Sequence, residues 1–167
     1  MSVSDDVILD IARRLLGERY VPVVQALLEG GSLTDEEIAQ RTSLSVEEVR
    51  GALFRLEGVL LTQHRSREAI TGWYEFRWTI NRNFALNFIK SQKRQILKRL
   101  EARLEYERSH QFYYCGTEGC TRVTFDQAVD LGFRCPVCGR DLSYFDNTPV
   151  IEELERRVER LKRELRV

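Results

Sequence analysis

Every cysteine of this 167-residue chain lies between positions 115 and 138, in two close pairs: Cys115 with Cys120, and Cys135 with Cys138. Two clusters of thiolates that must converge on one point confine the segment between them to a small ribbon closed around a tetrahedral metal. The second pair reads Cys135-Pro136-Val137-Cys138-Gly139. Pro136 pre-sets a turn dihedral, and Gly139 tolerates the positive φ that lets backbone N–H groups approach the sulfurs. Four protein ligands leave no open position for water, so the expectation is one structural Zn2+ per chain. A pair of disulfides is the competing explanation, disfavoured where no secretory signal is found. Four thiolates also suit iron in a rubredoxin-type site, although the four-residue spacing of the first pair favours zinc.

Composition narrows the function. Lysine plus arginine equals aspartate plus glutamate, 26 of each, so the whole molecule has no bulk attraction for nucleic acid or an anionic membrane. No apolar run approaches membrane-spanning length, and the start, Met1 to Asp6, is acidic where a targeting peptide would be basic. A cytoplasmic protein is expected. There is no phosphate-binding loop, no dinucleotide-binding glycine pattern and no His-Glu-x-x-His. The two histidines, His64 and His110, read as solvated loop residues. An enzyme is not expected.

Helix caps organise the N-terminal half. Leu33-Thr34-Asp35-Glu36-Glu37-Ile38 carries a capping box, Thr34 with Glu37, and a hydrophobic staple, Leu33 against Ile38. The device returns eleven residues later in Leu44-Ser45-Val46-Glu47-Glu48-Val49, which predicts two short helices joined by a tight turn. Val49, Ala52, Leu53 and Leu56 form the buried stripe of the second helix, which Gly58 stops. An earlier helix opened by Pro22 and ended by Gly30-Gly31 supplies the third member, and Val7, Ile8, Ile11, Ala12, Leu15 and Leu16 mark one more amphipathic helix before it.

Two strand-like runs follow. Val59-Leu60-Leu61-Thr62 leads into a polar loop, Gln63 to Glu68, and the chain returns through Trp73-Tyr74-Glu75-Phe76-Arg77-Trp78-Thr79-Ile80. Period-two alternation assigns Tyr74, Phe76, Trp78 and Ile80 to the core, and Trp73, Glu75, Arg77 and Thr79 to solvent. Three helices followed by a hairpin make a winged helix. Its second helix nevertheless exposes Val46, Glu47, Arg50, Gly51, Phe54 and Arg55, where major-groove readers want Arg, Asn or Gln, and phosphates repel Glu47 and Glu48 at its start. A protein partner or unpaired DNA fits this face better than duplex. Trp73 and Phe54, beside Arg65 and Arg67 of the wing, are the candidate contacts for an unpaired strand or a partner pocket. The alternative for Trp73 is a ring folded back over the hairpin.

From Asn81 to about His110 the chain reads as one long helix, basic at first through Arg82, Lys90, Lys93, Arg94, Lys98 and Arg99. It is chiefly a solvated connector with an apolar edge, and Lys90, Lys93, Arg94 and Lys98 are candidates for touching nucleic acid or an acidic partner. Glu101, Glu105 and Glu107 gather at the helix end that the dipole disfavours, which hints at a polar partner near the ribbon. A final helix, capped by Thr148 with Pro149 at its first position, carries Ile151, Leu154, Val158, Leu161 and Leu165 as a seam. Two heptads cannot hold an isolated coil, so the seam must pack on the long helix, a second copy or another protein. The expected class is mainly α with small β. The segments are an extended winged helix-turn-helix domain (1–80), a long basic connecting helix (81–110), a four-cysteine zinc ribbon (111–147) and a C-terminal amphipathic helix (148–167).

This succession, with the aromatic strand and the ribbon phrases Phe112-Tyr113-Tyr114-Cys115, Arg122-Val123-Thr124-Phe125-Asp126-Gln127-Ala128 and Phe133-Arg134-Cys135-Pro136-Val137-Cys138-Gly139, resembles the archaeal transcription factor E family. That family is the counterpart of the alpha subunit of eukaryotic TFIIE. The resemblance covers nearly the whole chain. It implies a general initiation factor that joins RNA polymerase at its clamp and stalk, together with the TATA-binding protein and factor B. It further implies assistance to promoter melting, a winged helix near the non-template strand, a beta-type subunit as a further candidate partner, and an archaeal cytoplasmic location at the nucleoid during initiation. Family ribbons commonly open with C-x2-C; here Cys115-Gly116-Thr117-Glu118-Gly119-Cys120 holds two extra residues. The opposing expectations are a gene-specific, dimeric winged-helix repressor and an iron-containing electron carrier.

Overall fold

The structure, a computed structural model, describes residues 3–67 and 72–166. The chain forms two compact units, Met1–Lys90 and Ser91–Val167.

In the first unit, helix α1 (Asp5–Leu16), a single 3-10 turn (Glu18–Tyr20) and α2 (Val21–Gly30) lead through β1 (Ser32–Leu33) into α3 (Asp35–Thr42) and α4 (Val46–Leu56). The hairpin β2 (Leu61–Arg67) and β3 (Tyr74–Ile80) follows, with antiparallel strand order β1-β3-β2. Three helices and a hairpin are the arrangement expected of a winged helix. Both capping boxes are made: Thr34 Oγ1 accepts from the Glu37 N–H while Glu37 accepts from the Thr34 N–H, and Ser45 and Glu48 repeat the exchange. These caps satisfy orphan N–H groups at two helix starts and so fix the tight turn between them. The predicted stripe of α4, Val49, Ala52, Leu53 and Leu56, is buried and joins Ile8, Leu27, Ile38, Leu60 and Trp78 in one core.

The hairpin departs from the sequence reading in three ways. Gln63 to Arg67, expected as loop, continue β2 in register with β3, while Glu68 lies outside the described residues. On β3 only Trp78 is buried, at 1% exposure; Tyr74 and Phe76, assigned to the core, are 56% and 53% exposed. All three share one face of the strand, but the helical layer lies only under its inner end, so the outer part of the wing stands in solvent. Arg77, expected to face outward, is half-buried and ties β3 to the helices: it donates to the Ser32 carbonyl (2.8 Å), Glu37 (3.0 Å) and Glu75 (2.8 Å). The carboxylate that caps α3 therefore also anchors the sheet.

Helix α5 (Arg82–Ser109) crosses from the first unit into the second, its start capped by the Asn81 carboxamide accepting from the Asn83 and Phe84 N–H groups. In the second unit β4 (Phe112–Tyr114), β5 (Val123–Thr124), the short helix α6 (Phe125–Asp130) and β6 (Ser143–Phe145) form a small antiparallel sheet of order β5-β4-β6. Helix α7 (Thr148–Arg166) closes the chain. It begins one residue earlier than expected. Asp146 does the capping, accepting from the Thr148 N–H (3.0 Å) and hydroxyl (2.7 Å), and these bonds hold its carboxyl below the usual range. The ion pairs Lys93–Glu164 (2.8 Å), Glu101–Lys162 (2.9 Å) and Arg108–Glu155 (2.5 Å) run in opposite directions along the two helices, so α7 lies antiparallel to the second part of α5. Of the three partners the seam allowed, the structure selects the long helix, with Leu104 and Val158 as buried members.

Candidate metal centre and exposed faces

Two knuckles bring the four cysteines together. The Cys120 N–H donates to the Thr117 carbonyl (3.1 Å) in the first, and the Gly139 N–H donates to the Cys135 carbonyl (2.9 Å) in the second. Gly139 has φ +73°, as its place after the pair requires, and the two-residue insertion of the first knuckle is absorbed by Gly116 and Gly119 at +72° and +84°. All four Sγ atoms lie within 4.8 Å of one another, and Cys138 Sγ stands 3.7 Å from Cys115 Sγ. A zinc–sulfur length of about 2.3 Å gives a tetrahedron edge of about 3.8 Å, which the Cys115–Cys138 separation matches and the widest separation exceeds by about 1 Å, so the sulfurs are gathered where a small inward shift would close a shell. All four are free thiols, not disulfides.

The surroundings already polarise these sulfurs. The Arg140 N–H and then the Thr117 hydroxyl pull the Cys138 thiol down to about 6, while burial and the neighbouring sulfurs push Cys120 up to about 12. Burial works against ionisation of Cys115, yet the Thr117 N–H and hydroxyl outweigh it and lower this thiol. Crowded thiolates without a cation repel, and a bound dication removes that repulsion. The donor set, the spacing and the closed shell all suit a structural metal.

Beneath the ribbon is a polar cluster that the sequence reading did not assemble. Glu107 of α5 is 1% exposed and pairs with Arg122 and with Arg103 (2.7 Å). Asn147 Nδ2 donates to both the Glu107 carboxylate and its main-chain carbonyl, each at 2.9 Å. The Arg122 guanidinium also lies over Phe112 (4.4 Å) and near Phe145 (5.4 Å). Of the acids at that end of α5, Glu107 meets the ribbon of the same chain, while Glu101 pairs with Lys162 of α7. Helix α6 was missed as well, although Thr124 and Gln127 carry a capping-box spacing that announces it.

The wing candidates group in the first unit. Phe54 is 58% exposed and packs edge-on against Trp78 (5.7 Å, 85°). With Tyr74 and Phe76 these rings line a cleft of about 590 Å3 between α4 and the hairpin, rimmed by Asp35, Glu36 and Glu75. Arg50, at the same place, is engaged with Asp35 and Glu36. Arg65 stacks its guanidinium on Tyr74 (3.4 Å), and Arg67 Nε donates to the Gly72 carbonyl (3.1 Å), so both wing arginines brace the hairpin while staying exposed. Trp73, just before β3, is 78% exposed. Along α5, Lys93 is committed to Glu164 and Lys90 is half-buried, whereas Arg94 and Lys98 are exposed. Arg82 is held by Asp5 (2.5 Å) and the Val3 carbonyl. His64 sits beside the Ser32 hydroxyl (3.4 Å) and His110 against Tyr106 (4.4 Å). Among the described residues no helix is long and apolar enough to cross a membrane.

Comparison with known proteins matches residues 6–109 to the family model of the TFIIE alpha subunit. Transcription factor E of Thermococcus kodakarensis is 43% identical over 159 residues, 95% of this chain and 86% of the relative. The Metallosphaera sedula and Pyrococcus horikoshii proteins of the same name are 40% and 38% identical, covering 96% and 99% of this chain and 92% and 87% of their own.

Proposed function

The chain belongs to the TFIIE alpha family of transcription initiation factors, which are not enzymes, and on that premise we propose that it acts by binding RNA polymerase in the preinitiation complex and assisting promoter melting. The observation that carries this reading is the cleft between α4 and the wing. Its exposed rings, Phe54, Tyr74 and Phe76, are rimmed by carboxylates already paired with Arg50 and Arg77, which leaves those cations committed and not offered to a phosphate backbone, so the face suits a protein surface or an unstacked base and is a poor reader of duplex. The proposed partners are the polymerase clamp and stalk, the TATA-binding protein and factor B within the promoter complex, the unpaired non-template strand, and a beta-type subunit. The place of action is the archaeal cytoplasm, at the nucleoid. The working parts follow the segments 1–80, 81–110, 111–147 and 148–167. Zn2+ at Cys115, Cys120, Cys135 and Cys138 would hold the ribbon in shape, and no step of melting runs through it.

The test is promoter opening with purified polymerase, TATA-binding protein and factor B, read by permanganate footprints of the bubble. Trp73→Ala is expected to keep the melting temperature and zinc content while losing stimulation on weak promoters, since base stacking on an aromatic ring contributes about 1–3 kcal/mol. A loss of several degrees in melting temperature, or an unchanged footprint, makes Trp73 structural. Tight binding of the free protein to one palindromic duplex would replace the whole reading with a gene-specific repressor.

A further inference from the structure

The neutral total charge of the chain hides a division within its second unit. Ser91 to Arg103 of α5 and Arg156 to Arg166 of α7 together hold eleven lysines and arginines against three acids. Leu104 to Glu155, the rest of that unit up to α7's second half, hold four against ten. The ion pairs that align the two helices set the basic stretches side by side, with Lys93 against Glu164 and Glu101 against Lys162. One end of the helix pair is therefore strongly cationic.

Pairing within the chain does not account for this charge. Lys93 and Lys162 already take two of the three acids, which leaves Glu159 alone among the cations. Arg103 is held by Glu107, and Arg156 and Arg157 share Glu153. Arg94, Lys98, Arg99, Arg160 and Arg163 are exposed and make no ion pair among the described residues. Helix formation does not ask for them either. Arg94 with Lys98, Arg99 with Arg103, Arg156 with Arg160 and Lys162 with Arg166 are like charges four apart, which repel and weaken a helix. The macrodipole welcomes Arg163 and Arg166 in the last turn of α7, but its influence has faded at Arg94 to Arg99, far inside α5. Charge concentrated against its own repulsion is suited to an anionic ligand that neutralises it.

The side chains present identify the ligand. Four of the five uncommitted cations are arginines, whose planar fork matches a phosphate better than a lysine does. Arg156, Arg160 and Arg163 recur at four- and three-residue spacing along one side of α7, an extended array that fits a repeating anion. Of the large apolar side chains exposed in these stretches there is only Ile96, and no ring. Without a ring there is no platform on which unpaired bases could stack, and without an apolar centre there is little for a protein interface to bury. We propose that the cationic end of the α5–α7 pair binds the phosphate backbone of duplex DNA without reading its sequence. This goes beyond the function proposed above and does not depend on it. The site is separate from the wing cleft, where rings and carboxylates favour a different ligand.

The experiment titrates the full-length, zinc-loaded protein into a labelled duplex of about 30 base pairs of arbitrary sequence, followed by fluorescence anisotropy between about 50 and 200 mM salt, with no polymerase present. One variant combines Arg94→Gln with Lys98→Gln, and a second combines Arg160→Gln with Arg163→Gln. Glutamine keeps the helix, and none of the four side chains holds an ion pair, so the melting temperature should stay that of the unaltered protein. Each phosphate contact contributes about 0.9 to the slope of log affinity against log salt, so each variant should make that slope shallower by about two and bind more weakly at low salt, equally on any sequence. An unchanged slope in both folded variants overturns the proposal, wherever else on the protein the duplex then binds. So does an unaltered protein that shows no duplex binding at the lowest salt. Polyglutamate bound more tightly than duplex, and lost in the same variants, would replace nucleic acid with an acidic protein segment. The polymerase footprint assay described above tests the functional reading independently, so failure of one does not decide the other.

Discussion

The two units solve the same problem, holding a small sheet against helices, by different means. In the unit Met1–Lys90, β1, β2 and β3 rest on a continuous apolar core that runs from Ile8 through Leu27, Leu53 and Leu56 to Trp78. In the unit Ser91–Val167 the equivalent core is Val123, Ala128, Cys135 and Leu142, and one of those four is a metal-ligand candidate. A cluster that small cannot offset the conformational entropy of its loops by area burial alone. On the reading that the four cysteines hold a metal, coordination and the buried ion-pair cluster around Glu107 take over what packing does in the other unit. The difference teaches where each unit is vulnerable: the first to cavities, the second to loss of a ligand or of one charge.

Metal removal should separate the units most strongly. Free energies of structural zinc in small domains are about 10–16 kcal/mol, so chelation, or Cys135→Ser, should unfold residues 111–147 outright. Backbone amide spectra of the first unit should persist. Collapse of both units in a single cooperative transition would break the comparison.

The converse change is Leu53→Ala, at a fully buried position of the first core. It should destabilise that unit by about 2–5 kcal/mol in denaturant melts, with zinc content unchanged. A large shift in the ribbon's own transition would show that the cores are coupled.

Glu107→Ala is expected to cost a similar amount in the other unit, about 3–5 kcal/mol, because it strands the half-buried Arg122 guanidinium without its counter-charge. Its effect should be confined to the second unit, and amide exchange at Phe112 and Asn147 should report it first. A neutral result would mean that the cysteines alone hold the ribbon on α5.

The smallest effect concerns a cap and its pH dependence. Ser45→Ala should cost about 1 kcal/mol through the first unit alone. The Ser45 N–H and hydroxyl hold the Glu48 carboxyl below its ordinary value, as Arg77 and then Ser66 do for Glu75. A carboxylate lowered on folding contributes stability that is present above its unfolded value, about 4.3, and is lost as pH falls through the lowered folded value. Acid titration of the first unit should therefore show a loss of stability beginning below that point, and Ser45→Ala, which removes the hydroxyl but keeps the main-chain N–H, should make that loss shallower. An identical profile in the variant would remove the cap from the account.

What was legible in the sequence was local. Cys115, Cys120, Cys135 and Cys138 announced a candidate metal centre, and the fold gathers their sulfurs, because ligand spacing within each knuckle is a property of a few adjacent residues. Thr34 with Glu37 and Ser45 with Glu48 announced helix starts for the same reason, and the α4 stripe followed from a 3.6-residue period. Tertiary structure decided the rest. Period two placed Tyr74, Phe76 and Trp78 on one face, but only the reach of the helical layer determined that Trp78 is covered and the other two are not. The seam of α7 had three candidate partners, and ion pairs between residues some 50 to 70 positions apart chose α5. Glu107 found Arg122 and Asn147 for no reason its neighbours could supply. Local spacing dictates which groups can converge within a turn or two, whereas burial and long-range charge pairing depend on which surfaces the folded chain brings together.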